Sequence, residues 1–121
     1  MAEHFDQTTL GTLRDALEVT IHTNTGPRRG TVIWAVVVGD EVFVRSVRGP
    51  GAKWYTAVLA DRRGSLALDD KRWEVDVTPV ADPDVIDQVS QAYLTKYATS
   101  PYAQPMVRSE ILSTTLRLDP R

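Results

Sequence analysis

The sequence predicts an α+β domain that is mainly β: an antiparallel sheet of about six strands, closed into a small barrel, with short helices flanking it. Three observations lead there. Several short runs alternate apolar and polar residues or are apolar throughout, as half-buried and fully covered strands do. Turns containing glycine or aspartate separate them at hairpin spacing. The helical patterns are short and lie between or beside the strands, so the helices pack at the ends of the sheet, and closure protects its edges. At 121 residues the chain has the length of one domain, spanning residues 1–121.

Thr8 to Leu17 sets Leu10, Leu13, Ala16 and Leu17 at helical spacing, with Thr8 or Thr9 as cap. Glu18 to Asn24 alternates Val19 and Ile21 with polar neighbours, a half-buried strand that runs into the turn cluster Thr23 to Gly30. Thr31 to Val38 is apolar on both faces and reads as one central strand. Gly39-Asp40 joins it to Glu41–Val47 in a tight hairpin that requires positive φ at Gly39. Beyond the Arg48–Gly51 break, Ala52 to Asp61 reads as a short helix. Ser65–Leu68 and Arg72–Thr78 form a second hairpin, with Asp69-Asp70 near the turn and Trp73, Val75 and Val77 inward. Asp82-Pro83 starts a helix to about Ala98, striped by Ile86, Val89, Tyr93 and Tyr97. After Pro101 and Pro105, the alternation through Leu112, Leu116 and Leu118 predicts a final strand over Val107 to Leu118.

Composition narrows the chemistry. The absence of cysteine removes disulfides, thiol catalysis and Cys-held metals. His4 and His22 stand too far apart for a local metal motif, so no metal is expected. The longest apolar run, Val32 to Val38, falls far short of the ~20 residues a membrane-spanning helix needs. Glu3 and Asp6 occupy a stretch where an export signal would be basic and then apolar, which makes the cytoplasm the expected location. No Gly-x-Ser-x-Gly elbow is present, and Ser46 has no histidine near it in sequence. Net charge is −2, but residues 26–63 hold seven Lys/Arg against three acids, whereas the remainder holds seven against thirteen. One basic stretch in an otherwise acidic chain points to a small anionic ligand more than to a long polyanion.

The loops Gly26–Gly30 and Arg48–Gly51 flank a single hairpin whose turn, Gly39-Asp40, lies at the opposite end of the sheet. Arg28, Arg29, Arg48 and Lys53 are therefore expected to be neighbours. Glycines let backbone amides approach phosphate oxygens, a helix starting near Ala52 turns its positive end toward them, and arginine offers a matching planar fork. The bland alternative is that these are solvated loop charges. Arg45 lies within a strand on the face of Glu41, Phe43 and Val47, so it needs a partner: a phosphate, or a carboxylate of Glu18, Glu74 or Asp76. Trp34 and Trp73 read as packing residues, whereas Trp54 and Tyr55, beside the basic loop, suit either the core or a pocket wall.

Residues 23–46 (TNTGPRRGTVIWAVVVGDEVFVRS) and 48–59 (RGPGAKWYTAVL) together resemble the nucleotide-flavin split β-barrels. Within these the resemblance is to the small deazaflavin-dependent nitroreductase-like proteins, and most closely to a bacterial family carried as a domain of unknown function. It covers roughly residues 18 to 80 and implies a dimeric, six-stranded split β-barrel that binds FMN or the deazaflavin coenzyme beside its central strands. By position, Thr25 and Gly26 fall at the first loop, and Arg28 and Arg29 face the anionic tail. Ser46, Val47, Arg48, Gly49 and Lys53 supply the second loop, with Trp54 and Tyr55 at the family's Trp-Tyr pair. Two features depart from the pattern: Trp-Tyr-Thr-Ala-Val replaces Trp-Tyr-x-Asn-Leu, and the first loop is shorter, with one arginine pair.

The implied activity is hydride transfer from the bound cofactor to a small electron-poor substrate, a nitro compound or activated alkene, with Tyr55 or water as proton donor. A non-enzymatic carrier or sensor for the cofactor is the alternative. Nucleic-acid binding, with Trp54 and Tyr55 as stacking platforms, is a weaker third.

Overall fold

The computed structural model describes residues 4–121; Glu3, part of the acidic stretch weighed against export, lies outside the described residues. One antiparallel sheet runs in the order β2-β1-β5-β6-β7-β4-β3. Its strands are β1 (Val19–His22), β2 (Thr31–Ile33), β3 (Ala35–Val38), β4 (Glu41–Val44), β5 (Arg63–Leu68), β6 (Lys71–Pro79) and β7 (Leu116–Pro120). Seven strands replace the expected six because the run Thr31–Val38 breaks at Trp34. Its first part pairs with β1, Ile21 opposite Thr31. Its second part pairs with β4, Ala35 opposite Val44 and Val38 opposite Glu41. The two edge strands are thus consecutive pieces of one segment, and the sheet curls into a nearly closed barrel.

The apolar run, expected to be one central strand covered on both faces, instead supplies the two edge strands, and Val32 on its outer face is exposed at 59% while Ala35 to Val38 are covered on both sides. Ile33, Ala35 and Val37 turn into the barrel, where they meet Val19, Ile21, Val42, Val44, Leu66, Val75, Val77, Leu116 and Leu118. Two helices pack into this interior, α1 (Gln7–Asp15) through Leu10 and Leu13, and α2 (Lys53–Asp61) through Trp54, Tyr55 and Val58. Val36 and Phe43 face outward instead, into a second core with Val89, Tyr93 and Tyr97 at and just beyond α3 (Pro83–Lys96), plus Ala103 and Met106. Each such large side chain contributes roughly 1.5–3 kcal/mol on full burial.

Local chemistry sets the element boundaries. Asp6, rather than Thr8 or Thr9, caps α1: its carboxylate accepts the Thr9 N–H at 2.7 Å, which holds the Asp6 carboxyl below its ordinary range. Asp82 caps α3 by accepting from the Asp84 N–H at 2.9 Å. Gly39 has φ +61°, as the β3–β4 hairpin demands, and Asp69 at φ +55° opens the β5–β6 turn. The expected strand Val107–Leu118 is the main departure. Two 3-10 segments, Gln104–Val107 and Ser109–Thr114, take up most of it, leaving only Leu116–Pro120 as a strand. Buried Ile111 and Thr114 stand three apart, the 3-10 repeat. The Thr114 and Thr115 hydroxyls bond back to the carbonyls of Ile111 and Leu112 at 2.6 and 2.7 Å, local bonds that compete with a strand ladder.

Candidate functional site

A cleft of about 940 Å³ opens on the outer side of the barrel. Thr31 to Trp34 form one wall, Val47, Arg48 and Gly51 to Trp54 a second, and Tyr102, Pro105 and Met106 a third, with Arg45 also part of the lining.

Trp34 owes its position to the strand break. Its carbonyl leaves the sheet ladder and accepts the Tyr93 hydroxyl at 2.7 Å, so the break leaves no orphaned acceptor. Its indole stacks on Tyr97 at 3.9 Å between centroids, and the Tyr97 hydroxyl is in turn fixed to the Leu17 carbonyl at 2.7 Å. The cleft therefore has a flat aromatic wall whose orientation is locked from behind. Trp34, read as packing from the sequence, serves both as packing and as lining.

The second wall begins as a pinned turn. Gly49 at φ +84° donates its N–H to the Ser46 carbonyl at 3.0 Å, while the Ser46 hydroxyl donates to the Gly49 carbonyl at 2.6 Å. The Ser46 N–H is held by the Thr114 hydroxyl at 3.0 Å. Ser46 and Gly49 thus spend their polar groups on the turn itself, which leaves Val47 and Arg48 projecting from it. Helix α2 follows at once with Ala52 as its N-cap, a residue with no side chain that can cap. The first-turn amides of Lys53, Trp54 and Tyr55 consequently form an open, positive helix end beside Arg48 and Lys53.

The first loop lies elsewhere. The Gly26 N–H is taken by the Thr23 hydroxyl at 2.8 Å, and a Cβ at Gly26 would sit 3.4 Å from that of Ala57. Asn24 donates to Asp61 at 3.0 Å. The loop therefore meets α2 at its middle and last residues, about 6 and about 12 Å along the axis from Lys53. Thr25, Gly26, Arg28 and Arg29 are not among the residues lining the cleft, and both arginines are exposed. Of the cations expected to be neighbours, Arg48 and Lys53 share the cleft, whereas Arg28 and Arg29 are outside its lining.

Tyr55 also lies off the cleft. It is 5% exposed within the barrel core, its hydroxyl reaches the Ser113 carbonyl at 3.4 Å, and burial raises its pKa. Trp54, packed edge-on to Tyr55 at 5.9 Å, does line the cleft. Arg45 lies one residue past the end of β4 rather than within the strand, and among the described residues it pairs with none of the carboxylates weighed for it, Glu18, Glu74 and Asp76: Glu74 pairs with Arg72, and Asp76 with Arg63 and Arg121. Its guanidinium is met by hydroxyls and carbonyls instead. The lining residues that sequence reasoning passed over are Thr31 to Ile33, Tyr102, Pro105 and Met106. Tyr102 carried a usable signal, an aromatic set between Pro101 and Pro105 where no regular element could bury it. Among the described residues no group of three or more His, Asp or Glu could hold a metal, and no helix is long and apolar enough to cross a membrane.

The chain belongs to the family described as an uncharacterized protein conserved in bacteria (DUF2255), whose profile matches residues 9–118. No curated protein matches it. Among solved structures it is similar to the conserved hypothetical protein Rv2991 from Mycobacterium tuberculosis, with a TM-score of 0.66 at 15% identity, covering 98% of this chain and 80% of that one. It is also similar to HutZ, the heme storage protein from Vibrio cholerae, with a TM-score of 0.62 at 10% identity, covering 95% and 89%. The fold is the split β-barrel, as the sequence resemblance implied.

Proposed function

We propose that the cleft is a cofactor site, for FMN or the deazaflavin coenzyme, in a cytoplasmic oxidoreductase-like protein. The observation that carries this reading is the sharing of one cleft by a locked aromatic wall, Trp34, and an uncapped helix end flanked by Arg48 and Lys53. A planar ring system suits the first and a phosphorylated tail the second. Trp34 and Trp54 hold and orient the ring, while Val32, Ile33 and Met106 exclude water from one side of it. Arg48, Lys53 and the α2 amides neutralise the tail. The bound cofactor supplies the hydride for a small electron-poor substrate, a nitro compound or activated alkene. No Cys, His, Asp or Glu is among the residues lining the cleft; Lys53 faces the tail as a cation, and Tyr102 or water is left as the proton source in place of buried Tyr55.

The absence of His, Asp and Glu from the lining supports a second reading, a carrier or sensor that holds its cofactor without turnover. Likeness to a protein described as a heme storage protein supports it too. A homodimer belongs to the proposal because Val32, Val47 and Tyr102, exposed at 59%, 43% and 68%, cluster at this cleft.

Titration of the purified protein with FMN and with the deazaflavin, followed by tryptophan fluorescence and melting temperature, tests the site. Saturable quenching with one of the two is expected. If neither cofactor changes either signal, the proposal fails. Consumption of reduced cofactor over a panel of nitro compounds and activated alkenes then separates enzyme from carrier.

A further inference from the structure

Arg45 is the largest side chain this protein buries completely, at 1% exposure, and among the described residues no carboxylate pairs with it. Its Nε donates to the Thr115 hydroxyl at 2.8 Å. Its Nη1 donates to the Ser90 hydroxyl at 2.9 Å and the Met106 carbonyl at 3.0 Å, and its Nη2 to the Ile86 carbonyl at 2.8 Å. The guanidinium carbon lies 5.7 Å from the ring centroid of Tyr93. Four of the five N–H groups are therefore satisfied, all by neutral acceptors, and the positive charge itself is left uncancelled.

A buried cation without a counter-charge is costly to maintain, and an anion placed beside it in a low-dielectric wall gains far more than it would in water. Arg45 also belongs to the lining of the cleft, to which no acidic side chain contributes. The exposed cations Arg48 and Lys53 differ in kind, because salt screens them and leaves a buried charge largely untouched.

We propose that Arg45 is the residue that sets the charge specificity of the cleft: its buried, uncompensated charge selects aromatic occupants that carry a negative group on or beside the ring. This rests on the reading of the cleft as a ligand site and names the class of ligand it takes. The bonds of Arg45, the residue after β4, reach α3, the 3-10 segment at Met106 and Thr115 just before β7, so the guanidinium is held in one place.

The test uses two dyes of one shape, anilinonaphthalene sulfonate and its uncharged parent phenylnaphthylamine, with emission excited through the tryptophans. The sulfonate is expected to bind the intact protein about tenfold tighter than the parent. That preference should persist at ~1 M salt, where the Debye length is about 3 Å. Arg45→Gln should bring the two affinities within about twofold without weakening the parent, and Arg45→Lys should restore most of the difference. Loss of the preference at high salt in the wild-type protein, its survival in Arg45→Gln, or failure of both dyes to bind each overturns the proposal. If Arg45→Gln does not fold, the Arg48→Ala/Lys53→Ala variant at high salt decides: a kept preference supports Arg45 and a lost one overturns it. If FMN and the deazaflavin fail to bind while the dyes discriminate, the cofactor reading falls and the charge selection stands.

Discussion

The indole of Trp34 lies flat on the phenol ring of Tyr97, 3.9 Å between centroids and 7° from parallel. Tyr97 therefore acts as the backing of a cleft it does not line, held by its bond to Leu17 just beyond α1. Tyr97→Phe keeps the stack and loses the hydroxyl, so it should cost about 1 kcal/mol in urea unfolding with little change in cofactor affinity. Tyr97→Ala removes the backing and should cost about 4 kcal/mol, with affinity falling about tenfold. Equal affinity in the two variants would show that Trp34 needs no support from behind.

Arg48 and Lys53 line the cleft whereas Arg28 and Arg29 do not, and their effects should separate accordingly. Arg48→Ala/Lys53→Ala is expected to weaken FMN binding about tenfold, in line with two exposed charges at a helix N-terminus. Arg28→Ala/Arg29→Ala should change it less than about twofold. Calorimetric titration distinguishes the two, and the reverse ranking would move the tail to the first loop.

Lys96 donates to the carbonyls of Leu13 at 3.1 Å and Ala35 at 2.6 Å, and burial pulls its pKa down to about 8 from an ordinary 10.5. Between those values the unfolded chain binds more protons at this residue than the folded one, so stability should rise with pH from about 8 toward 10. Below about 8 both states are protonated and this contribution is lost. Above about 10 the buried hydroxyls of Tyr93 and Tyr97, whose pKa values burial raises, reverse the trend. Urea denaturation from pH 7.5 to 10 should show the rise in the wild-type protein and a flat profile in Lys96→Met.

Gly39 and Gly30 both have positive φ, but only Gly39 is open around its missing Cβ. A Cβ at Gly30 would lie 2.6 Å from Thr20 and 2.8 Å from His22. Gly39→Ala should therefore cost about 1 kcal/mol from backbone conformation alone, and Gly39→Asn nearly nothing. Gly30→Ala adds overpacking and should cost about 2–4 kcal/mol, read from denaturation midpoints.

The exposed apolar side chains around the cleft make oligomeric state a direct check on the proposed dimer. Val32→Asp and Tyr102→Asp should each give a monomer by sedimentation, leaving the melting temperature within a few degrees, since both side chains are exposed. A wild-type protein that sediments as a monomer removes the dimer from the proposal.

Much of the barrel was legible because strands announce themselves locally. Gly39-Asp40, the alternation of Val75 and Val77, and the α3 stripe of Val89, Tyr93 and Tyr97 each encode a period or a turn within a few residues. Two features were not legible. The break at Trp34 leaves alternation intact, since Ile33 and Ala35 still face inward, so pattern alone cannot reveal that the strand changes partners there. The 3-10 segments arise from threonine hydroxyls turning back on their own backbone, and the leucine spacing there fits a strand equally well. For the site, the pinned turn before α2 could be read from its glycines. The third wall, at Tyr102 and Met106, came from a proline-broken segment whose position depends on tertiary contacts with Arg45.

The strand change at Trp34 also limits how such a site can diversify. Because Ile33 and Ala35 both point into the barrel, inserting or deleting one residue between them would swap the two sides of everything downstream to Val38. Val36 and Val38 would be driven into the interior and Ala35 and Val37 out toward α3. Exchange of side chains at this wall is tolerable, but a change in its length is not. New ligand preferences at this wall must therefore come through replacement at Val32 and Trp34.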